Sequence, residues 1–123
     1  MLVVDPIRLY QVGQELCTLQ SVMLIQTATT NAIAIAAVTG KKIRVMGFSF
    51  TANAAGTNPG IVLKDGSGGT TKYAVTIPAL TVGEHARPVI DAGYFDTTVS
   101  TGLFFDVITS TANLFINYIT YTP

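Results

Sequence analysis

The 123-residue chain has few charges: seven Lys or Arg and seven Asp or Glu give a formal net charge of zero. Phosphate binding needs several clustered cations, and only Lys41, Lys42 and Arg44 lie together, so we expect no nucleic-acid partner. The single cysteine, Cys17, permits no intramolecular disulfide, and the length suits one domain with one hydrophobic core.

The first 18 residues, MLVVDPIRLYQVGQELCT, show no sustained hydrophobic period and contain Pro6 and Gly13. They are too apolar for a disordered tail, which is normally polar. We therefore predict that residues 1–18 form an extended N-terminal arm that orders against a neighbouring subunit, and that residues 19–123 form the folded domain. The alternative is that the arm is a first strand of the domain's own sheet.

Residues 16–40 carry no charge, yet they do not predict a membrane segment. Polar residues such as Gln20 and Gln26 interrupt the roughly 20 consecutive apolar residues that a spanning helix needs. A signal peptide is not expected either, because Asp5 and Pro6 stand near the start of the chain. The segments QSVMLIQT and NAIAIAAV instead predict two β-strands, and a buried helix at residues 32–38 is the alternative.

The strand pattern continues through the middle of the chain. In KKIRVMGFSFTA, strict alternation places Ile43 and Val45 on one face and Phe48 and Phe50 on the other. The segment IVLKDGSGGTTKYAVTI predicts a hairpin whose turn lies at residues 65–69, because glycine accepts the positive φ that such turns require. The same turn does not fit a phosphate loop, since the residues after it favour a strand rather than a helix.

Three further strands are predicted after residue 84. ARPVIDAGYF is expected to be an edge strand because it contains Pro88, and GLFFDVIT and ANLFINYITYT follow it. The whole chain then has about eight short strands, frequent turns and no long helix. We predict an all-β fold, an antiparallel β-sandwich of the jelly-roll type with the N-terminal arm extending from it.

Residues that could carry catalysis are sparse. His85 is the only histidine, we expect it in a loop, and nothing in the sequence places a nucleophile against it. Asp91, Asp96 and Asp106 lie on separate segments, and one His with one Cys makes a poor zinc-ligand set. We predict that the protein is not an enzyme and has no catalytic residues, no bound metal and no cofactor.

Several predicted strands are apolar on both faces, and such strands need cover on both faces. We predict that a symmetric homo-oligomer supplies the second cover. The candidate oligomer-face residues are Phe48, Phe50, Phe104 and Phe115. The alternative is that loops of the same chain fold over the outer face.

Three stretches together resemble a small β-sandwich protein of tailed bacteriophages, of the capsid decoration or cement type. They are AVTGKKIRVMGFSFTA, the hairpin IVLKDGSGGTTKYAVTI, and DAGYFDTTVSTGLFFDVITSTANLFINYITY. The similarity is one of pattern and covers roughly residues 28–122, which leaves the N-terminal segment outside it. The resemblance implies a virion component and supplies no catalytic residues.

From this resemblance we expect a non-enzymatic protein on the capsid surface of a virion, made in the host cytoplasm. It would stabilise the phage head as a homotrimer that bridges subunits of the major capsid protein, without membrane contact. The capsid-contact candidates are Ile7, Arg8, Leu9 and Tyr10. The alternative is a receptor- or glycan-binding module of a fibre or tail, with Tyr94 and Phe95 as its aromatic platform.

Overall fold

The computed structural model describes residues 9–26, 29–52, 60–76, 84–108 and 111–123. Regular structure in these ranges is entirely β-strand, and no helix in them is long and apolar enough to span a membrane. The strands are β1 Leu9–Val12, β2 Glu15–Thr18, β3 Gln20–Gln26, β4 Thr29–Ile35, β5 Lys42–Ala52, β6 Gly60–Asp65, β7 Thr70–Thr76, β8 Glu84–Arg87, β9 Phe95–Asp96, β10 Leu103–Ile108 and β11 Ala112–Tyr121.

The strands form two principal antiparallel sheets. The first sheet has the order β3-β11-β5-β8, with the two-residue β9 also paired to β5, and the second has the order β4-β10-β6-β7. Apart from β9, the two sheets contain eight strands. In chain order, the first of these eight pairs with the last, the second with the seventh, the third with the sixth and the fourth with the fifth. This nested pairing is that of a jelly roll. The predicted all-β sandwich of jelly-roll type is therefore confirmed.

The hydrophobic core lies between the two sheets because alternate residues of each strand point inward. Leu114 and Ile116 of β11 face Leu103 and Phe105 of β10 across this space, and all four are almost completely buried. Val22 and Leu24 of β3 pack against the same core from one edge.

Strand β5 departs from strict alternation at a β-bulge. Asn117 of β11 faces Gly47 and the next residue, Tyr118, faces Val45, so Met46 has no opposite residue. The extra residue changes which face the following side chains occupy. As a result Val45 before the bulge and Phe48 after it point into the same core.

Because of the bulge, two of the predicted oligomer-face residues lie in the core. Phe48 and Phe50 are only 2% and 1% exposed, so they cannot contribute to a surface that contacts another subunit. The prediction for these two residues is wrong because it assumed unbroken alternation along β5.

A loop at residues 88–94 covers the bulge. The Ile90 amide donates to the Met46 carbonyl at 3.1 Å, and the Tyr94 amide donates to the Val45 carbonyl at 2.8 Å. A side-chain carbon at Gly47 would lie 2.8 Å from the backbone nitrogen of Val89, which is closer than such atoms can approach. Glycine is therefore required by the close passage of this loop.

The predicted strand ARPVIDAGYF is divided in the structure. Strand β8 ends at Arg87, directly before Pro88, and β9 begins only at Phe95. Proline cannot donate to the ladder, which is consistent with the strand ending there. His85 lies on β8 and not in a loop, so that expectation was wrong.

We expect Gly47→Ala to lower the free energy of unfolding by about 1–3 kcal/mol, because overpacking against the backbone of Val89 must displace the loop. Urea unfolding measures the change. Ser49→Ala, two residues further along β5, is the control and should change stability by no more than about 0.5 kcal/mol. Equal stability of the two variants would contradict the close packing at Gly47.

Candidate interaction surface

Residues 9–18 form a β-hairpin instead of an extended arm. Leu9 pairs with Thr18 and Val12 pairs with Glu15, which leaves Gly13 and Gln14 as a two-residue turn. Gly13 has a φ of 61°, a value that suits glycine at the first central position of such a turn. This part of the segment therefore folds back on itself and does not reach out as a single extended arm, because residues 9–12 pair with residues 15–18.

The hairpin lies across the outer face of the first sheet, which is the face turned away from the second sheet. Tyr10 and Cys17 point down from the hairpin into a small apolar cluster with Met46, Ile119 and Tyr121. This second cluster buries the outward-pointing apolar side chains of Met46 on β5 and of Ile119 and Tyr121 on β11. The cover over this part of the outer face comes from the same chain.

Glu15 ties the hairpin to two other parts of the chain. Its Oε1 lies 3.0 Å from Nζ of Lys41, and its Oε2 accepts a hydrogen bond of 2.8 Å from the Thr122 amide. The hydrogen bond from Thr122 and the contact with Lys41 lower the pKa of Glu15. The docked hairpin therefore favours the ionised carboxylate.

A second ionic contact, between Arg44 and Asp96, lies within the first sheet near the hairpin. Nε of Arg44 donates to Oδ1 of Asp96 at 2.7 Å and its Nη2 donates to Oδ2 at 3.0 Å, while the Tyr121 hydroxyl also donates to Oδ2. Burial alone would raise the pKa of Asp96, but the hydrogen bonds from Arg44 and Tyr121 outweigh it and lower that pKa. The contact joins β9 to β5 and β11.

The outer side of the hairpin presents two leucines to solvent. Leu9 is 54% exposed and Leu16 is 65% exposed. Tyr10, the residue after Leu9 on β1, is only 8% exposed. Among the capsid-contact candidates, Leu9 is thus on the surface and Tyr10 is not, because successive residues of a strand point to opposite faces. Ile7 and Arg8 lie outside the described residues.

The two remaining oligomer-face candidates lie on opposite outer faces of the sandwich. Phe115 is partly exposed on the outer face of the first sheet, beside the exposed Met23 of β3. Phe104 is half-buried on the outer face of the second sheet, opposite Ile33 of β4. The structure therefore does not bring Phe104 and Phe115 together on one surface.

The centre of the second sheet's outer face carries a polar contact. Nζ of Lys64 lies 2.6 Å from Oδ2 of Asp106, and Oδ1 of Asp106 accepts from the Asn31 amide at 2.7 Å. Burial would raise the pKa of Asp106, but the hydrogen bonds from Lys64 and Asn31 lower it.

The aromatic residues proposed as a glycan platform are used inside the fold. The Tyr94 hydroxyl donates to the Pro88 carbonyl at 2.6 Å, and its ring packs edge-on against Phe48 with centroids 5.9 Å apart. Phe95 is half-buried and packs against the main core. Neither ring lies open as a flat platform for a sugar.

His85 belongs to a small cluster at the edge between β7 and β8. Its Nε2 lies 2.9 Å from the Tyr73 hydroxyl, which also accepts a 2.9 Å hydrogen bond from Nε of Arg87. Burial, with a smaller effect from Arg87, lowers the pKa of His85. The neutral ring can therefore accept a hydrogen bond from the Tyr73 hydroxyl. In the described part of the chain no three His, Cys, Asp or Glu residues are grouped to hold a metal.

Comparisons with known proteins do not identify a family for this chain. No protein-family model matches the chain, and no curated protein matches it. Among the solved structures that match is a virus-like particle of the extra small virus of the giant freshwater prawn Macrobrachium rosenbergii, with a TM-score of 0.36 and 10% identity. The match covers 98% of this chain and 86% of that one. At this TM-score the likeness carries no argument about either fold or function.

We expect Glu15→Gln to loosen the hairpin while the sandwich stays folded, because the ion pair with Lys41 is lost. Hydrogen exchange at pH 7 should be faster at the amides of residues 10–12 and 15–17 than in the unchanged protein. Folding lowers the pKa of Glu15, so its contribution is present above the ordinary carboxyl pKa and is lost as the pH falls through the lowered value.

In the unchanged protein the same loosening should therefore occur only in acid, after correction for intrinsic exchange. Glu84→Gln, which removes an exposed carboxylate on β8, is the control and should leave the hairpin protected. Full protection in Glu15→Gln would show that the apolar cluster alone holds the hairpin.

Proposed function

We propose that this chain is a non-enzymatic structural protein of a phage virion, a decoration protein on the surface of the capsid. In this proposal it stabilises the head by bridging neighbouring subunits of the major capsid protein, after synthesis in the host cytoplasm. The observation that carries the proposal is the anchored hairpin on the outside of the jelly roll, which presents Leu9 and Leu16 to solvent.

Two lines of support are independent of each other. The jelly roll is an architecture common in viral capsid and lectin domains, although a fold alone does not select a function. The sequence pattern resembles decoration proteins of tailed phages over most of the chain. The lectin alternative is less well supported, because Tyr94 and Phe95 pack within the fold and do not form an open platform.

The anchoring of the hairpin suits a binding element. Tyr10 and Cys17 hold it from below and Glu15 holds its turn, so little conformational freedom remains to be lost on binding. Burial of exposed apolar surface contributes roughly 25 cal/mol per Å² before the costs of association. Leu9 and Leu16 supply such surface, and Ile7 and Arg8, which precede Leu9 in the chain, remain part of the proposed contact.

The homotrimer stays a prediction. The apolar side chains that suggested it are in large part accounted for within one chain, by the bulge in β5 and by the hairpin over the outer face. Bridging of capsid subunits does not depend on three copies, since one domain can contact two neighbouring capsid proteins.

The experiment compares binding of the full chain and of the double variant Leu9→Ser, Leu16→Ser to capsids of the phage that encodes it, stripped of this protein. Loss of two exposed leucines from a contact should weaken binding at least about tenfold, since a buried leucine is worth about 1.5–3 kcal/mol. Sedimentation of protein with the particles measures the bound fraction.

Ile33→Ser is the matched control, because Ile33 is 57% exposed but lies on the second sheet. It should bind as the unchanged protein does. Equal binding of the double variant and the control would exclude the hairpin as the contact, and no binding of the unchanged protein would contradict the proposed function itself.

A further inference from the structure

Strand β3 is an open edge of the first sheet. It pairs with β11 from Gln20 to Gln26, and no other strand among the described residues pairs with its second side. The backbone N–H and C=O groups along an open edge are available to another strand, and an exposed, regular, apolar edge is prone to pairing.

The other three edges of the sandwich carry features that discourage pairing. Strand β4 has two irregularities in its register with β10, and its Asn31 has a φ of 55°. Strand β7 carries the exposed Lys72. Strand β8 has only four residues, includes Glu84 and Arg87, and is followed by Pro88. Bulges, short length, charges and proline are the usual protections of an edge.

Strand β3 has none of these protections. Its seven residues, QSVMLIQ, include no charge and no proline, and its register with β11 runs without a break. Met23 and Ile25 point away from the core and are each 67% exposed, and Phe115 of β11 lies directly beside Met23. The open edge is therefore bordered by an apolar strip on the outer face.

We propose that two copies of this chain pair antiparallel through β3 across a two-fold axis, which continues the first sheet from one copy into the other. Overlap of all seven residues places the axis at Met23, the middle residue of the strand. Met23 then lies opposite its own counterpart, and Ser21 lies opposite the counterpart of Ile25.

A second copy fits this edge for three reasons. The strand has no charge, so pairing with itself brings no like charges together. The two-fold register places outward Met23 opposite the counterpart of Met23, and inward Val22 opposite the counterpart of Leu24. The chain has a formal net charge of zero, so there is little long-range repulsion between copies. This contact forms between free copies and does not rest on the proposed capsid binding.

Light scattering during size-exclusion chromatography of the full chain, over a series of concentrations, tests the pairing. The unchanged protein should reach twice the 13.0 kDa mass of one chain. Met23→Lys and Met23→Glu should each give the mass of one chain, because like charges then face each other across the axis. An equimolar mixture of the two variants should return to twice the mass, since opposite charges then meet.

Ile33→Lys is the matched control, because Ile33 is a similarly exposed residue on the edge strand β4, and this variant should keep the doubled mass. Circular dichroism establishes that each variant retains its strands. A single-chain mass for the unchanged protein at every concentration would overturn the proposal. A tripled mass would also overturn it and would favour the trimer, while particle binding, measured separately, decides the proposed function.

Discussion

The architecture depends on one local irregularity, the β-bulge at Met46. Without the extra residue, Ile43 and Val45 could not share a core with Phe48 and Phe50, because the two pairs would point to opposite faces of β5. Since β5 lies between β11 and β8, the bulge decides which side chains fill the sandwich along the centre of the first sheet. At the bulge, the backbone of Val89 passes close over Gly47.

The hairpin covers a second apolar cluster on the other face of the same strand. Met46 alternates with the core residue Val45 and lies outside the main core, next to the outward-pointing Ile119 and Tyr121 of β11. An apolar group of this size is rarely left in water on a single domain. The hairpin covers it with Tyr10 and Cys17, and the ion pair of Glu15 holds the turn in place. The exposed leucines on the hairpin's other side follow from the same alternation.

The sequence predicts the strands well because their signals are local. Period-two alternation and turn residues place β3, β6, β7, β10 and β11 close to their observed bounds. Which strand pairs with which is not local, so only the class of sandwich could be expected. Two available signals were missed: Gly47 inside a strand, which often marks a bulge, and Gly13 between short alternating segments, which is typical of a hairpin turn. The exposed Leu16, Met23 and Ile25 became candidates only when the structure showed the outer faces.

The pairing of β3 with β11 has a consequence for biosynthesis. Strand β11 lies between β3 and β5 in the first sheet, yet among the described strands it is made after both of them. The first sheet therefore cannot close until residues 112–121 have left the ribosome, and β3 must wait unpaired while the intervening chain is translated. Sheets dominated by such distant pairings fold slowly, on the order of milliseconds to seconds. During that interval the apolar β3 lacks its native partner, and unpaired apolar strands of this kind are prone to aggregate.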